Sequence, residues 1–209
     1  MTEERPGAQR WVPPEADVDG LRAAAPGCRG CELWADATQV VFSTGSDRAR
    51  VVLVGEQPGD REDREGKPFV GPAGRILDDA LEAAGIDPSG VYVTNAVKHF
   101  RFQMRGKRRI HKTPGVAHVE ACLPWLEAEL AAVRPGVVVC LGATAARAVL
   151  GREVRVTAER GAPLSRPGPD GEVRVVVTTH PSAVVRLSGK PGFDEAFDAL
   201  VADLRLAAP

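Results

Sequence analysis

No stretch of this 209-residue chain reaches the eighteen or so consecutive apolar residues of a membrane span. The first ten residues, MTEERPGAQR, carry charges and a proline with no apolar core, so no secretory signal is visible. A cytoplasmic location is the resulting expectation. Net charge is also slight, −1 with a pI near 6.4. No global field advertises nucleic acid, and any basic surface must be local. Cysteine is scarce, four in all, which argues against a disulfide framework and leaves metal or core roles. There is no internal repeat, and neither a Walker A loop nor a GxGxxG supports a nucleotide-hydrolase or dinucleotide reading. What is present, 44% hydrophobic content over this length, suits one domain. It is expected over residues 18–209, behind a flexible leader at 1–17.

The chain is organised around VVLVGEQPGDREDREGKPFVGPAG, Val51 to Gly74. Four apolar residues, Val51–Val54, read as a strand buried on both faces, the kind found in parallel sheets covered by helices. Gly55 ends it, and a loop of polar and turn-forming residues follows, running past Phe69 to a helix at Arg75–Ala84. In open α/β sheets ligands bind beyond the carboxyl ends of the strands, so this loop is the first candidate site. Phe69 either lines a pocket there or plugs the space under the loop. Further strands are predicted at Val91–Thr94, Val137–Leu141 and Val173–Thr178, with helices between them and at the end. Residues 152–171 read as a mixed connection with a short strand near Val154–Val156. Right-handed crossovers then give a three-layer α/β/α fold on a central four-stranded parallel sheet. Parallel strands exit at one edge, so Glu56, Gln57, Asn95, Thr144 and His180 should share a rim.

Two further stretches carry chemistry. Cys28-Arg29-Gly30-Cys31 lets two sulfurs converge on a metal or cluster, or serve as a redox pair or half a zinc site. From Lys98 to Lys112, KHFRFQMRGKRRIHK holds seven Lys or Arg and no acid. Phe100 and Phe102 interleave with those charges, as in loops that contact phosphates and stack on bases. A helix starts after it with Thr113 as cap and Pro114 in the first turn, and carries Cys122. His118 on that helix reads as a surface residue, and Cys140, inside an apolar strand, as a core residue.

GEQPG after the first strand, PFVGPAG after the loop, Asn at the second strand exit and HPS at the last together resemble the uracil-DNA glycosylase superfamily. The likeness spans roughly Cys28 to Arg186 and is nearest the family 4 iron–sulfur enzymes. Gln57, where family 4 usually has a small residue, and the KRRIH insertion resemble the UdgX type, whose members become covalently attached to uracil-containing DNA. By position, the resemblance implies a [4Fe–4S] cluster on Cys28, Cys31, His99 and Cys122, with Cys140 left in the core. Histidine in place of a thiolate tends to raise a cluster's potential. His99 has a second reading, as a phosphate contact within the basic stretch.

The resemblance also implies the site. Phe69 stacks on the uracil ring, the Asn95 amide reads its edge, and His180 donates to O2 as the uracil anion forms. Gln57 and Asp60 fall among substrate-contacting positions, Asp60 either polarising a water, steadying Glu56 or standing in solvent. Ser182, Arg109 and Lys112 meet DNA phosphates, the last two also ordering the loop. His111 is the candidate nucleophile at C1′, with Glu56 to orient it and accept its proton. The expected partner is uracil-containing DNA, single strands first and duplex as an alternative, bound by a monomer. Two rival functions differ in mechanism: a glycosylase that releases an abasic site, and a non-catalytic iron–sulfur DNA-binding module.

Overall fold

The computed structural model describes residues 5–208. The strands are β1 (Ser43–Gly45), β2 (Val51–Gly55), β3 (Tyr92–Asn95), β4 (Phe102–Arg105), β5 (Arg108–His111), β6 (Val137–Leu141), β7 (Leu164–Gly168) and β8 (Gly171–Thr178). The helices are α1 (Val18–Ala24), α2 (Leu33–Asp36), α3 (Asp60–Glu65), α4 (Pro72–Ala84), α5 (Val116–Val133), α6 (Ala143–Leu150), α7 (Val156–Glu159), α8 (Pro181–Val185) and α9 (Phe193–Arg205).

The main sheet is mixed and has six strands rather than the four expected, in the order β1-β3-β2-β6-β8-β7. Its inner pairs β3/β2, β2/β6 and β6/β8 run parallel, and the short edge strands β1 and β7 pair antiparallel. Alternation along β2 sends Val52 and Val54 into a core with Leu21, Trp125, Leu126 and Ala145. Val51 and Leu53 point the other way, into a core with Leu77, Leu81, Leu200 and Leu204. Both faces are thus covered by helices, which is why β2 and β6 are continuously apolar.

Several local expectations need correcting. Asp60–Glu65 is a helix; its DREDRE sequence has no apolar stripe by which to read one. Residues 152–171 hold no strand at Val154–Val156; they contain α7, which begins at Val156, and the edge strand β7. Gly115, not Thr113, caps α5, and His118 is buried: its Nδ1 accepts from Gly115 N–H at 3.0 Å while Nε2 donates to Glu32 at 2.7 Å. Part of the segment expected as a flexible leader is packed against the domain. Ala8 is buried and Gly7 N–H donates to the Gly30 carbonyl at 3.0 Å, while residues 1–4 lie outside the described part.

Candidate active site

The parallel strands bring Gly55 opposite Asn95 and Leu141 opposite Thr178 at one sheet edge. Beyond that edge lies a cavity of about 720 Å³, lined by Glu56, Phe69, Asn95, His111, Thr144, His180 and Ser182 among others. Its floor depends on glycine. A Cβ on Gly55 would stand 2.3 Å from Asn95 Oδ1 and 2.8 Å from the Phe69 ring, so any side chain there would fill the space between them. Phe69 itself sits at φ 56°, an uncommon conformation for an aromatic residue. The turn closes because Gly74 has no Cβ, which would fall 1.6 Å from the Phe69 carbonyl oxygen. Glu62 accepts from Gly71 N–H at 2.8 Å and holds the same loop.

Asn95, His180, Phe69 and Ser182 face this cavity. Asn95 is 2% exposed, and its Oδ1 has no hydrogen-bond partner among the described residues. An orphaned buried acceptor is costly, roughly 1–3 kcal/mol, unless a ligand satisfies it. His180 caps α8 with its side chain: Ser182 N–H donates to Nδ1 at 3.1 Å. That bond makes Nδ1 the acceptor and leaves the proton on Nε2. Burial pushes the His180 imidazole down to about 4 against the opposing pull of Glu56, so it is a neutral donor at physiological pH. The Phe69 and His180 rings lie 5.9 Å apart and 27° from parallel, forming one wall. Ser182 is tied to His180 through Oγ at 2.9 Å.

At the mouth stands His111. Its Nε2 lies 3.3 Å from Glu56 Oε1, and Thr144 Oγ1 donates to the other Glu56 oxygen at 2.6 Å. Burial raises the Glu56 carboxyl, but the bonds from His111 and Thr144 outweigh it and hold the group below the ordinary carboxylate value. His111 ends β5, because the basic stretch read as a loop is a hairpin, β4 paired antiparallel with β5.

The hairpin's anchors differ from their sequence readings. Gln57 lines the cavity, and its amide is engaged by the hairpin: Nε2 donates to the carbonyls of Arg101 at 3.1 Å and Lys112 at 3.2 Å, and Oε1 accepts from Arg101 N–H at 3.0 Å. One glutamine thereby clasps both ends of the hairpin. Arg109 turns inward, donating to Asp60 at 2.5 Å and to fully buried Asp63 at 2.7 Å, with its guanidinium against Phe100 and Phe102. It orders the loop and is not free to meet phosphate, and Asp60 pairs with Arg109 and Arg64 rather than with Glu56. Lys98, counted in the basic run, is buried. Arg105, Lys107, Arg108 and Lys112 remain exposed as the cationic surface.

Cys28, Cys31, Cys122 and His99 are all buried. Trp125 Nε1–H donates to Cys28 Sγ at 3.3 Å and Lys98 N–H to Cys122 Sγ at 3.3 Å. Burial pushes the Cys31 thiol up to about 11 and Cys122 to about 12, with the neighbouring sulfurs adding to the shift. Burial pushes the His99 imidazole down to about 4, leaving it neutral as a ligand must be. Among the described residues, no group of three or more His, Cys, Asp or Glu closes on a single metal ion. The donor set, three soft sulfurs and an imidazole with N–H groups aimed at two of the sulfurs, has the chemistry of an iron–sulfur site. Cys140 lies apart in β6, fully buried.

A cavity with the Phe69 and His180 rings along one wall, offering an unpaired amide oxygen and a neutral N–H, suits a planar heterocycle with polar edge groups. A cationic hairpin at its mouth suits a base carried on a polyanion. The fold and site thus define an α/β protein with a pocket at the carboxyl edge of its parallel strands, beside a cationic hairpin. The model of the Uracil DNA glycosylase superfamily matches residues 42–205, and the chain belongs to that superfamily. Relatives include a type-4 uracil-DNA glycosylase of Thermotoga maritima, 38% identical over 76% of this chain and 78% of its own. Another, from Archaeoglobus fulgidus, is 35% identical over 80% and 83%. A type-5 uracil-DNA glycosylase of Pyrobaculum aerophilum is 33% identical over 77% and 74%.

Proposed function

We propose that this chain is a uracil-DNA glycosylase of the UdgX type, which excises uracil and then becomes covalently linked through His111 to C1′ of the sugar. Membership of the superfamily and similarity to type-4 and type-5 enzymes support the excision. The observation that carries the covalent step is the His111–Glu56 contact, 3.3 Å, on a hairpin clasped at its base over the cavity.

The target base is flipped from its stack into the cavity. Phe69 covers its face. The Asn95 amide, held with its NH2 towards O4 and its oxygen towards N3–H, sets donor against donor at cytosine's amino group. His180 donates from Nε2 to O2. As the C1′–N1 bond breaks, its electron pair leaves with uracil, and the hydrogen bond to O2 strengthens as that charge develops. The sugar becomes oxocarbenium-like. The His111 nitrogen bearing the lone pair attacks C1′, giving an alkylated imidazolium. Glu56, a carboxylate held below its usual range, stabilises that cation and relays the proton of the other nitrogen to solvent. Reversal then requires expelling imidazolate, a poor leaving group, so the protein acts once.

Cys28, Cys31, His99 and Cys122 would hold the [4Fe–4S] cluster, which when bound supplies a metal–sulfur tie between segments distant in sequence and a redox-capable centre. The exposed cations of the hairpin contact DNA backbone. The test of excision is chromatographic: uracil released from a uracil-containing oligonucleotide, with thymine and cytosine oligonucleotides as controls. Release without preference for uracil, or none at all, overturns the reading.

A further inference from the structure

Behind the cavity the chain buries a charge pair that the chemistry above does not use. Lys98 and Glu129 side chains are 1% and 0% exposed and form an ion pair. Lys98 Nζ also donates to Thr94 Oγ1 at 2.6 Å and to the backbone carbonyl of Asn95 at 2.9 Å, so all three of its protons are used. Glu129 Oε1 in turn accepts from Tyr92 Oη at 2.8 Å and Thr94 Oγ1 at 2.9 Å.

Stability is a poor explanation for such a pair. Removing two charges from water costs about what their attraction returns, and apolar replacements of similar volume are often neutral or stabilising. Position is a better one. Three hydrogen bonds in three directions leave the ammonium one place to sit, and one of them fixes the Asn95 carbonyl. From the cavity side the same turn is held by Ala96 N–H on the Gly55 carbonyl, 2.9 Å, and Val97 N–H on the Glu56 carbonyl, 3.0 Å. The Asn95 side-chain acceptor has no partner among the described residues. Its aim is therefore set through the backbone that carries it, and that backbone is gripped from behind by Lys98.

We infer that the Lys98–Glu129 pair is a positioning device for Asn95, fixing the plane in which its amide meets the base. Lys98 and Glu129 are positioning residues and touch no substrate. The inference rests on the proposed role of Asn95 in reading uracil and deepens it.

The test is the double variant Lys98→Met with Glu129→Leu, prepared with iron content matched to the parent. It is expected to melt no lower than the parent and to bind uracil-free DNA equally well. Its excision of uracil should fall about ten- to a hundredfold, the scale of a small misplacement of a positioning group. Its preference for uracil over cytosine should narrow, which a merely structural role would not cause, and hydrogen exchange at residues 95–99 should quicken. Glu129→Gln, which keeps shape and an acceptor, should show the same losses in smaller degree and decides the matter if the double variant does not fold. Full rate, unchanged preference and unchanged exchange in a folded variant overturn the inference. Should the parent itself show no dependence on uracil, the base-reading proposal fails, and exchange at 95–99 alone then upholds or overturns the positioning.

Discussion

Gln57→Ala isolates the hairpin from the cavity. The glutamine makes three hydrogen bonds to backbone groups at the two ends of the hairpin, to Arg101 twice and to Lys112 once. At roughly 1 kcal/mol net for each, their loss costs about 3 kcal/mol. If the clasp closes the hairpin over the cavity, that energy lowers the closed population by on the order of a hundredfold, at 1.4 kcal/mol per tenfold. His111 rides on the hairpin, whereas Phe69, Asn95 and His180 do not. Covalent capture should therefore slow far more than uracil excision, and abasic product should accumulate. The assay pairs a quenched denaturing gel, for capture, with release of free uracil, for excision, and adds hydrogen exchange over residues 101–112. Equal slowing of both steps would refute the separation. So would unchanged exchange in the hairpin.

Asn95→Ala should abolish uracil excision while binding to uracil-free DNA in a filter or anisotropy assay stays within about twofold, because base reading and backbone holding are separate contacts. The His180 imidazole should titrate near 4 by NMR, since burial depresses it from 6.5. Its folded value lies below its unfolded one, so the unfolded chain gains a proton first and stability falls as pH drops from 6.5 towards 4. His180→Gln should remove part of that fall in denaturation curves measured at several pH values. For the cluster, Cys122→Ala should lose iron and His99→Cys should keep it, whereas Cys140→Ala should leave iron content unchanged by chemical assay.

The strands that carry the site were legible because β2 and β6 are unbroken apolar runs, and only a two-sided core explains those. Once they are parallel, their exits must share an edge, and Glu56, Asn95 and His180 follow from topology before any family is considered. The hidden part is long-range pairing. Arg109 looks like any other cation of its run until Asp60 and Asp63, on a helix with no apolar periodicity, are found against it. Lys98 looks no different, and its partner Glu129 lies thirty-one residues on. Gln57 stands beside the catalytic candidate Glu56, yet its amide serves the hairpin. Charge and neighbourhood in sequence do not tell which way a side chain turns; the partner does. The edge strand β1, three residues long, is too short to leave any pattern.

The measurement closest to the central proposal is a denaturing gel of the protein incubated with a labelled uracil-containing oligonucleotide, before and after alkali. Wild type should give a band shifted by the mass of the protein that survives denaturation, with few alkali-labile sites. His111→Gly, which leaves room for water at C1′, should lose the shifted band and leave alkali-labile abasic sites instead. A wild-type protein that leaves such sites and no shifted band would contradict the covalent role of His111 and make the chain a releasing glycosylase.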